Sequence, residues 1–238
     1  MSVEPMGIEP PHIGTLNEKP LHASLKEWIA EPGDEFEVRI GRYVADIARG
    51  SLLIEIQTGS TSPLKRKLRV LLAHHAVHLV IPIAQQKTII SLDENGTVAS
   101  TRKSPKRGQL LDVFHHLVSL RELLGDANFS IEALLIHVEE IRRPRTTRKR
   151  RWKDWEVDER RLVEVLDHAI FHHPGDYLAA IPSTLGEPFT TADLARATGR
   201  PLRVAQQIAY CLREMGALSV LDRRRSGIRY VRNFHGEH

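Results

Sequence analysis

The apolar positions along the chain change period several times, and each change predicts an element. After a proline-containing lead-in over residues 1–12, "LNEKPLHASLKEWIAEPGD" has a helical period, with Leu21, Leu25 and Trp28 on one stripe. Asn17 is placed to cap this helix, Glu18 and Pro20 fall in its first turn, and Pro32-Gly33 ends it. The period then drops to that of strands near 36–40, 43–48 and 51–57, the last two joined through Arg49-Gly50 as a tight hairpin. "SPLKRKLRVLLAHH" returns to a helix, with Leu64, Leu68, Leu71 and Leu72 inward. "VHLVIPI" is an unbroken apolar run, as in a strand buried on both faces.

Residues 87–100, "KTIISLDENGTVAS", predict a second hairpin about Asn95-Gly96. "GQLLDVFHHLVSLRELLG" reads as a helix and "IEALLIHVEEIRR" as a strand. This order predicts an α/β (α+β) domain over residues 13–141, a mixed sheet flanked by helices. The pattern changes at 158, with "DERRLVEVLDHAIF" and then a strand-like "YLAAIP". Thr190 or Thr191 caps a short helix containing Leu194 and Ala195, Gly199 supplies a turn, and Pro201 opens a second helix carrying Val204, Ile208 and Leu212. Two β-prone pieces, "ALSVLD" and "IRYVR", flank the tip "RRRSG". Residues 158–238 in this layout resemble a winged helix-turn-helix domain.

Composition narrows the class. With 41% hydrophobic and 27% charged residues the chain reads as a globular protein, and no apolar run approaches the length of a bilayer span. No basic and then apolar leader is present, so the expected compartment is the cytoplasm, with no membrane partner. The single cysteine, Cys211, excludes an internal disulfide framework and a multi-thiolate zinc site, and its place in a helix stripe predicts a core residue. Of the 34 Lys+Arg and 30 Asp+Glu, residues 142–238 carry 19 and 12, a net +7, while the first 141 carry 15 and 18, a net −3. A basic C-terminal half points to a polyanion. "RRPRTTRKRRWK", with eight basic residues in twelve, lies in a segment over 142–157 that reads as a solvated linker or hairpin, or equally as a phosphate-contacting element.

The acidic half carries the candidate chemistry. Alternation puts Val44, Asp46 and Ala48 on one face of their strand, and Leu53, Glu55 and Gln57 on one face of the next. A loop at 49–50 pairs Ala48 with Ser51 and Asp46 with Leu53, so Asp46, Glu55 and Gln57 emerge together with Asp46 diagonal to Glu55. Carboxylates gathered on an apolar strand pair repel each other and lose solvation, which calls for a cation, and oxygen ligands suit Mg²⁺ or Mn²⁺. A water-facing side of a half-exposed sheet is the other reading of the same pattern. On the first helix Glu18 shares the side of Leu21 and Leu25, whereas Glu27 points to water.

A helix glutamate, a strand aspartate and then a Glu-x-Lys-like strand, here Glu18, Asp46 and Glu55-Ile56-Gln57, resemble the restriction-endonuclease-like, or PD-(D/E)xK, nuclease superfamily. More narrowly, "IGTLNEKPLHASLKEW", "DIARGSLLIEIQT" and "KRKLRVLLAHHAVHLVIPIAQQK" are similar to a group of bacterial proteins with that core. The resemblance implies hydrolysis of DNA phosphodiester bonds with Mg²⁺ (or Mn²⁺) held by Asp46, Glu55 and the Ile56 carbonyl, and with Glu18 completing the shell or binding a second ion. Gln57 stands where the superfamily usually has lysine. It keeps hydrogen-bonding ability but no positive charge, so Lys65 and Lys67 on the next helix are candidates to supply that charge, and His22 to orient water or phosphate. A noncatalytic DNA-binding or regulatory protein on the same fold is the competing expectation.

The remaining motifs add a DNA partner. His74-His75 with His78, His115-His116 and His172-His173 lack cysteines and an HExxH spacing, and no glycine-rich phosphate loop or nucleophile elbow is present. Arg200, Arg203, Gln206, Gln207 and Arg213 decorate the second helix of the C-terminal pair, and Arg223, Arg224 and Arg225 its wing. Arginine and glutamine read guanine and adenine edges, while wing arginines meet phosphate. The expected partner is therefore DNA, with a homodimer allowed.

Overall fold

A computed structural model describes residues 19–145, 155–225 and 227–233. Helix α1, Pro20–Ile29, is followed by the meander β1 (Glu35–Ile40), β2 (Tyr43–Arg49) and β3 (Leu52–Ile56), and then by α2 (Lys65–Leu72). Strands β4 (Ala76–Leu92) and β5 (Val98–Lys103), a helical segment around α3 (Phe114–Leu117), and the long strands β6 (Phe129–Pro144) and β7 (Trp155–Phe171) complete the sheet. The order is β1-β2-β3-β4-β6-β7, with β5 pairing the far half of β4. β3, β4 and β6 run parallel and the other neighbours antiparallel, so the protein is an α+β molecule with an open mixed sheet.

The parallel step from β3 to β4 needs a crossover, and α2 supplies it. Leu68, Leu71 and Leu72 of α2 close over Leu53, Val77, Leu79 and Ile81 on one face of the sheet. On the opposite face Leu21 and Leu25 of α1 pack on Ile47, Ile54, Ile56, Val80 and Leu134. Alternation along β3 therefore sends Ile54 and Ile56 towards α1, and Leu53 and Glu55 towards α2. No helix among the described residues is long and apolar enough to cross a membrane.

Several expectations are corrected. Helix α1 starts later than the sequence suggests: Lys19 is its N-cap and Pro20 sits in its first turn, where a missing N–H costs nothing. Asn17, Glu18 and the lead-in lie outside the described residues. Trp28 is 48% exposed, and the third buried position of α1 is Lys26, held by Glu37. The hairpin loop is Gly50-Ser51, with Arg49 opposite Leu52 and Ala48 opposite Leu53. The shift from the expected pairing is two residues, but alternation along β2 breaks at Asp46, with Ala45 packed on the α2 side and Ile47 on the α1 side, so Asp46 turns to α1 while Glu55 faces α2 and the two do not emerge on one shared face as expected.

"GQLLDVFHHLVSLRELLG" is a broken helix, with 3-10 turns at 110–113 and 118–120 around α3. "YLAAIP" is not a strand: its first three residues, Tyr177–Ala179, end α4 (Pro174–Ala179), whose start Asp176 caps by accepting the N–H groups of His172 and His173. Residues 158–171, assigned from sequence to the C-terminal unit, are instead most of β7. The basic segment is thus a connection between paired strands, 142–144 ending β6 and 155–157 opening β7, with 146–154 outside the described residues.

Beyond β7 come α4, α5 (Thr191–Thr198), α6 (Leu202–Glu214), β8 (Leu218–Arg224) and β9 (Gly227–Arg232). Thr190 caps α5, and Gly199 turns the chain in the left-handed region, φ 63°, where a side chain would be strained. Cys211 is buried with Ile208 and Leu212, and these residues join Phe114, Leu117, Tyr177 and Phe189 in one core with the α2 face of the sheet.

Candidate functional site

Asp46 sits at a break in the sheet. The β1–β2 register runs from Glu35 opposite Ala48 to Ile40 opposite Tyr43 but skips Glu37 and Asp46. Glu37 has φ 53°, rare for a residue with a side chain, and its carboxylate accepts from Lys26 of α1. On the β3 side the Asp46 carboxylate replaces the ladder, accepting the Ile56 N–H at 2.7 Å. Its Oδ2 also lies 3.2 Å from His22 Nε2 on α1.

Glu55 is directed to the other helix. Its Oε2 is 2.5 Å from Lys67 Nζ on α2, which also donates to the Val44 carbonyl at 2.5 Å. Its Oε1 is buried and has no hydrogen-bond partner among the described residues. Burial pushes the Glu55 carboxyl up to about 7, helped by the nearby Asp46 charge and only partly opposed by Lys67. Burial also pushes the Asp46 carboxyl up, but there the hydrogen bond and charge of His22, the Ile56 N–H and Lys67 prevail and hold it below its ordinary value. Two carboxylates within each other's field thus settle differently, one ionised and one poised near neutrality.

The structure therefore brings together Asp46, Glu55, Lys67 and His22, on strands and helices that meet at one end of the β2–β3 pair. It does not bring the others in. Lys65 pairs with Glu122 at 2.7 Å, and the Gln57 amide donates to the Ser60 carbonyl at 2.9 Å. Glu18 lies outside the described residues. No group of three or more His, Cys, Asp or Glu among the described residues is arranged to hold a metal. The sequence did not indicate Glu37 or Lys26, which tie α1 to β1 beside this site; a positive φ at a glutamate leaves no signature in residue type.

The residues expected to read DNA divide in two. Arg200 lies in the turn before α6, not on the helix as the sequence suggests; it is ion-paired with Asp112 and its Nε is buried without a partner among the described residues, while Gln207 of α6 lies 3.1 Å from His115 Nδ1, so both face the sheet-bearing part of the molecule. Arg213 lies over the Tyr210 ring, 5.5 Å from its centroid. Arg203 and Gln206 are exposed, as are Arg223, Arg224 and Arg225 at the β8–β9 tip, where Arg224 reaches Asp222 at 3.3 Å.

Residues 19–172 match the family described as a domain of unknown function, DUF8091, and the chain belongs to that family. It is also similar to an uncharacterized protein of Treponema pallidum (strain Nichols), 31% identical over 185 residues, covering 77% of this chain and 74% of the relative. No solved structure matches the chain. The matched family segment ends where β7 ends, and so takes in α1, the whole sheet and α2.

Proposed function

We propose that this family member is a metal-dependent nuclease that hydrolyses DNA phosphodiester bonds, on a restriction-endonuclease-like core with a C-terminal winged helix that engages DNA. The observation that carries this reading is the meeting of Asp46, Glu55 and Lys67, with Glu55 Oε1 buried and unpartnered among the described residues. A buried carboxylate oxygen left without a donor, beside a second carboxylate, fits a divalent cation better than it fits a structural ion pair.

Asp46 and Glu55, with the Ile56 carbonyl, would hold Mg²⁺ or Mn²⁺, and Glu18 is placed by the resemblance to complete the set. When bound, the ion supplies charge for the scissile phosphate and lowers the pKa of a water. His22 fixes the Asp46 carboxylate through Oδ2. Lys67 reaches the site from α2, so its cation takes the role that Gln57 cannot fill. The helix pair α5–α6, the glycine turn at 199 and the β8–β9 hairpin support the winged-helix reading.

Purified protein is incubated with plasmid, linear and branched DNA in Mg²⁺ or Mn²⁺, beside Asp46→Ala/Glu55→Ala and Lys67→Ala. Cleavage by the wild type is expected, with none from the double variant and a loss of about 10²–10³-fold for Lys67→Ala. Equal cleavage by wild type and double variant removes the site assignment. The Gln57 amide, turned to the Ser60 carbonyl, favours a second reading, a noncatalytic DNA-binding regulator; DNA binding without cleavage on any substrate would establish it.

A further inference from the structure

A second polar constellation lies on the α1 face of the sheet, beyond the C-terminal end of α1. His78 of β4 stands beside Ser130 of β6 in the parallel register, and Glu132, two residues on, shares the face of Ser130. Ser130 Oγ is 2.7 Å from His78 Nδ1, and His78 Nε2 is 2.9 Å from Glu132 Oε2. The other Glu132 oxygen is 2.5 Å from Nδ1 of His168 on β7. Each imidazole takes a different oxygen, so the carboxylate bridges two hydrogen bonds rather than closing on a shared ion. An ionised carboxylate only accepts, so His78 donates through Nε2. In the neutral imidazole Nδ1 is then the acceptor, and the Ser130 hydroxyl donates to it.

Hydroxyl to imidazole to carboxylate is the order in which a serine is activated as a nucleophile. Ser130, His78 and Glu132 line a cleft of about 600 Å³, a size that suits a small molecule. Its apolar lining includes Leu52, Ile54 and Ile170, with no unpaired cation among the lining residues to select a charged ligand: Arg49 is engaged by Glu31 and Asp34. Asn128, two residues before Ser130, also lines the cleft.

We propose that Ser130, activated by His78 and oriented through Glu132, takes the acyl group of a small uncharged ester bound in this cleft. The Ser130 oxygen bonds to the carbonyl carbon as its proton passes to His78 Nδ1. The ester C–O bond then breaks, and the departing alkoxide takes that proton from His78 and leaves as an alcohol. Water repeats the sequence on the acyl-serine, giving a carboxylic acid and free Ser130. The Asn128 amide donates to the carbonyl oxygen as it gains charge. Ser130 is on the opposite face of the sheet from Lys67, so this activity does not depend on the nuclease reading.

The full chain is treated with a fluorophosphonate probe and, separately, with p-nitrophenyl butyrate, and the labelled residue is found by peptide mass spectrometry. Labelling at Ser130 is expected, lost in Ser130→Ala and slowed at least about 10²-fold in His78→Gln, with ester hydrolysis falling in parallel. If Ser130→Ala melts below the assay temperature, the labelled residue in the wild type decides alone. Absence of label from Ser130, or ester hydrolysis undiminished in a folded Ser130→Ala, would overturn the proposal.

Discussion

Glu55 is buried among leucine and isoleucine side chains with a cation on one oxygen and no described partner on the other, and its stability consequence has a definite sign. A carboxyl raised from 4.5 to about 7 binds more protons folded than unfolded between those values, so it favours the fold least when ionised. Its penalty is absent below about pH 4.5, grows as pH rises, and is complete above about 7, where the shift corresponds to about 3 kcal/mol. Glu55→Gln should therefore gain thermal stability relative to the wild type on going from pH 5 to pH 8. Melting curves at the two values check this; a difference that does not change with pH contradicts the raised Glu55. Alternation breaks at Asp46, and the sequence offers Lys67 only beside Lys65, whereas the direction of Glu55 was legible from the strand period along β3. Gln57 was not, because it lies just past the end of β3, where the chain turns and a nearby carbonyl can take its amide.

At the scale of elements, α1 is held over the sheet by polar ties at both ends as much as by Leu21 and Leu25. His22 meets Asp46, Lys26 meets Glu37, and Arg49 of β2 reaches the Ile29 carbonyl at 2.8 Å together with Glu31 and Asp34. The Arg49 contacts fasten the C-terminal end of the helix whose first turn lies at Asp46. Arg49→Ala should leave the sheet intact and speed amide exchange in the last turn of α1, around 26–30, by about tenfold. Unchanged exchange there would mean that apolar packing alone holds the helix. The meander and α2 were legible because their apolar periods are clean. Strand β7 was not: it bulges by an extra residue at Leu166, Val163 and Asp158, opposite Leu135/Ile136, His137/Val138 and Ile141/Arg142 of β6, and most of its side chains face water. Each bulge shifts the alternation by one residue, and an edge strand has little burial to print a pattern in sequence.

For the molecule as a whole, the division into a unit over 13–141 and another over 158–238 gives way to a continuous core. Phe114 and Leu117 of α3 share that core with Ile208, Cys211 and Leu212 of α6, and Phe171 of β7 stacks on Tyr177 of α4, with centroids 4.6 Å apart. The sequence could not show this joint, because the residues at a seam between packed units are apolar in the same way as those inside either one. Unfolding should accordingly be a single cooperative transition, followed by circular dichroism and by tryptophan emission. The Asp112–Arg200 pair spans the seam, with both side chains largely withdrawn from water. Asp112→Ala leaves a guanidinium there whose Nε already lacks a described partner, and should cost about 3–5 kcal/mol. Arg200 and Gln207 thus serve the seam, and on the proposed DNA-binding reading contact with DNA falls to Arg223, Arg224 and Arg225 at the β8–β9 tip. Replacing Arg223, Arg224 and Arg225 with Gln should weaken DNA binding without lowering the melting temperature. It should also reduce the slope of log affinity against log salt, by up to about 0.9 for each phosphate that is no longer neutralised. Arg200→Gln should do the reverse, lowering stability while leaving that slope unchanged. If Arg200→Gln instead flattens the salt dependence and the wing variant does not, α6 leaves the seam when DNA binds, and the docked arrangement is the DNA-free state.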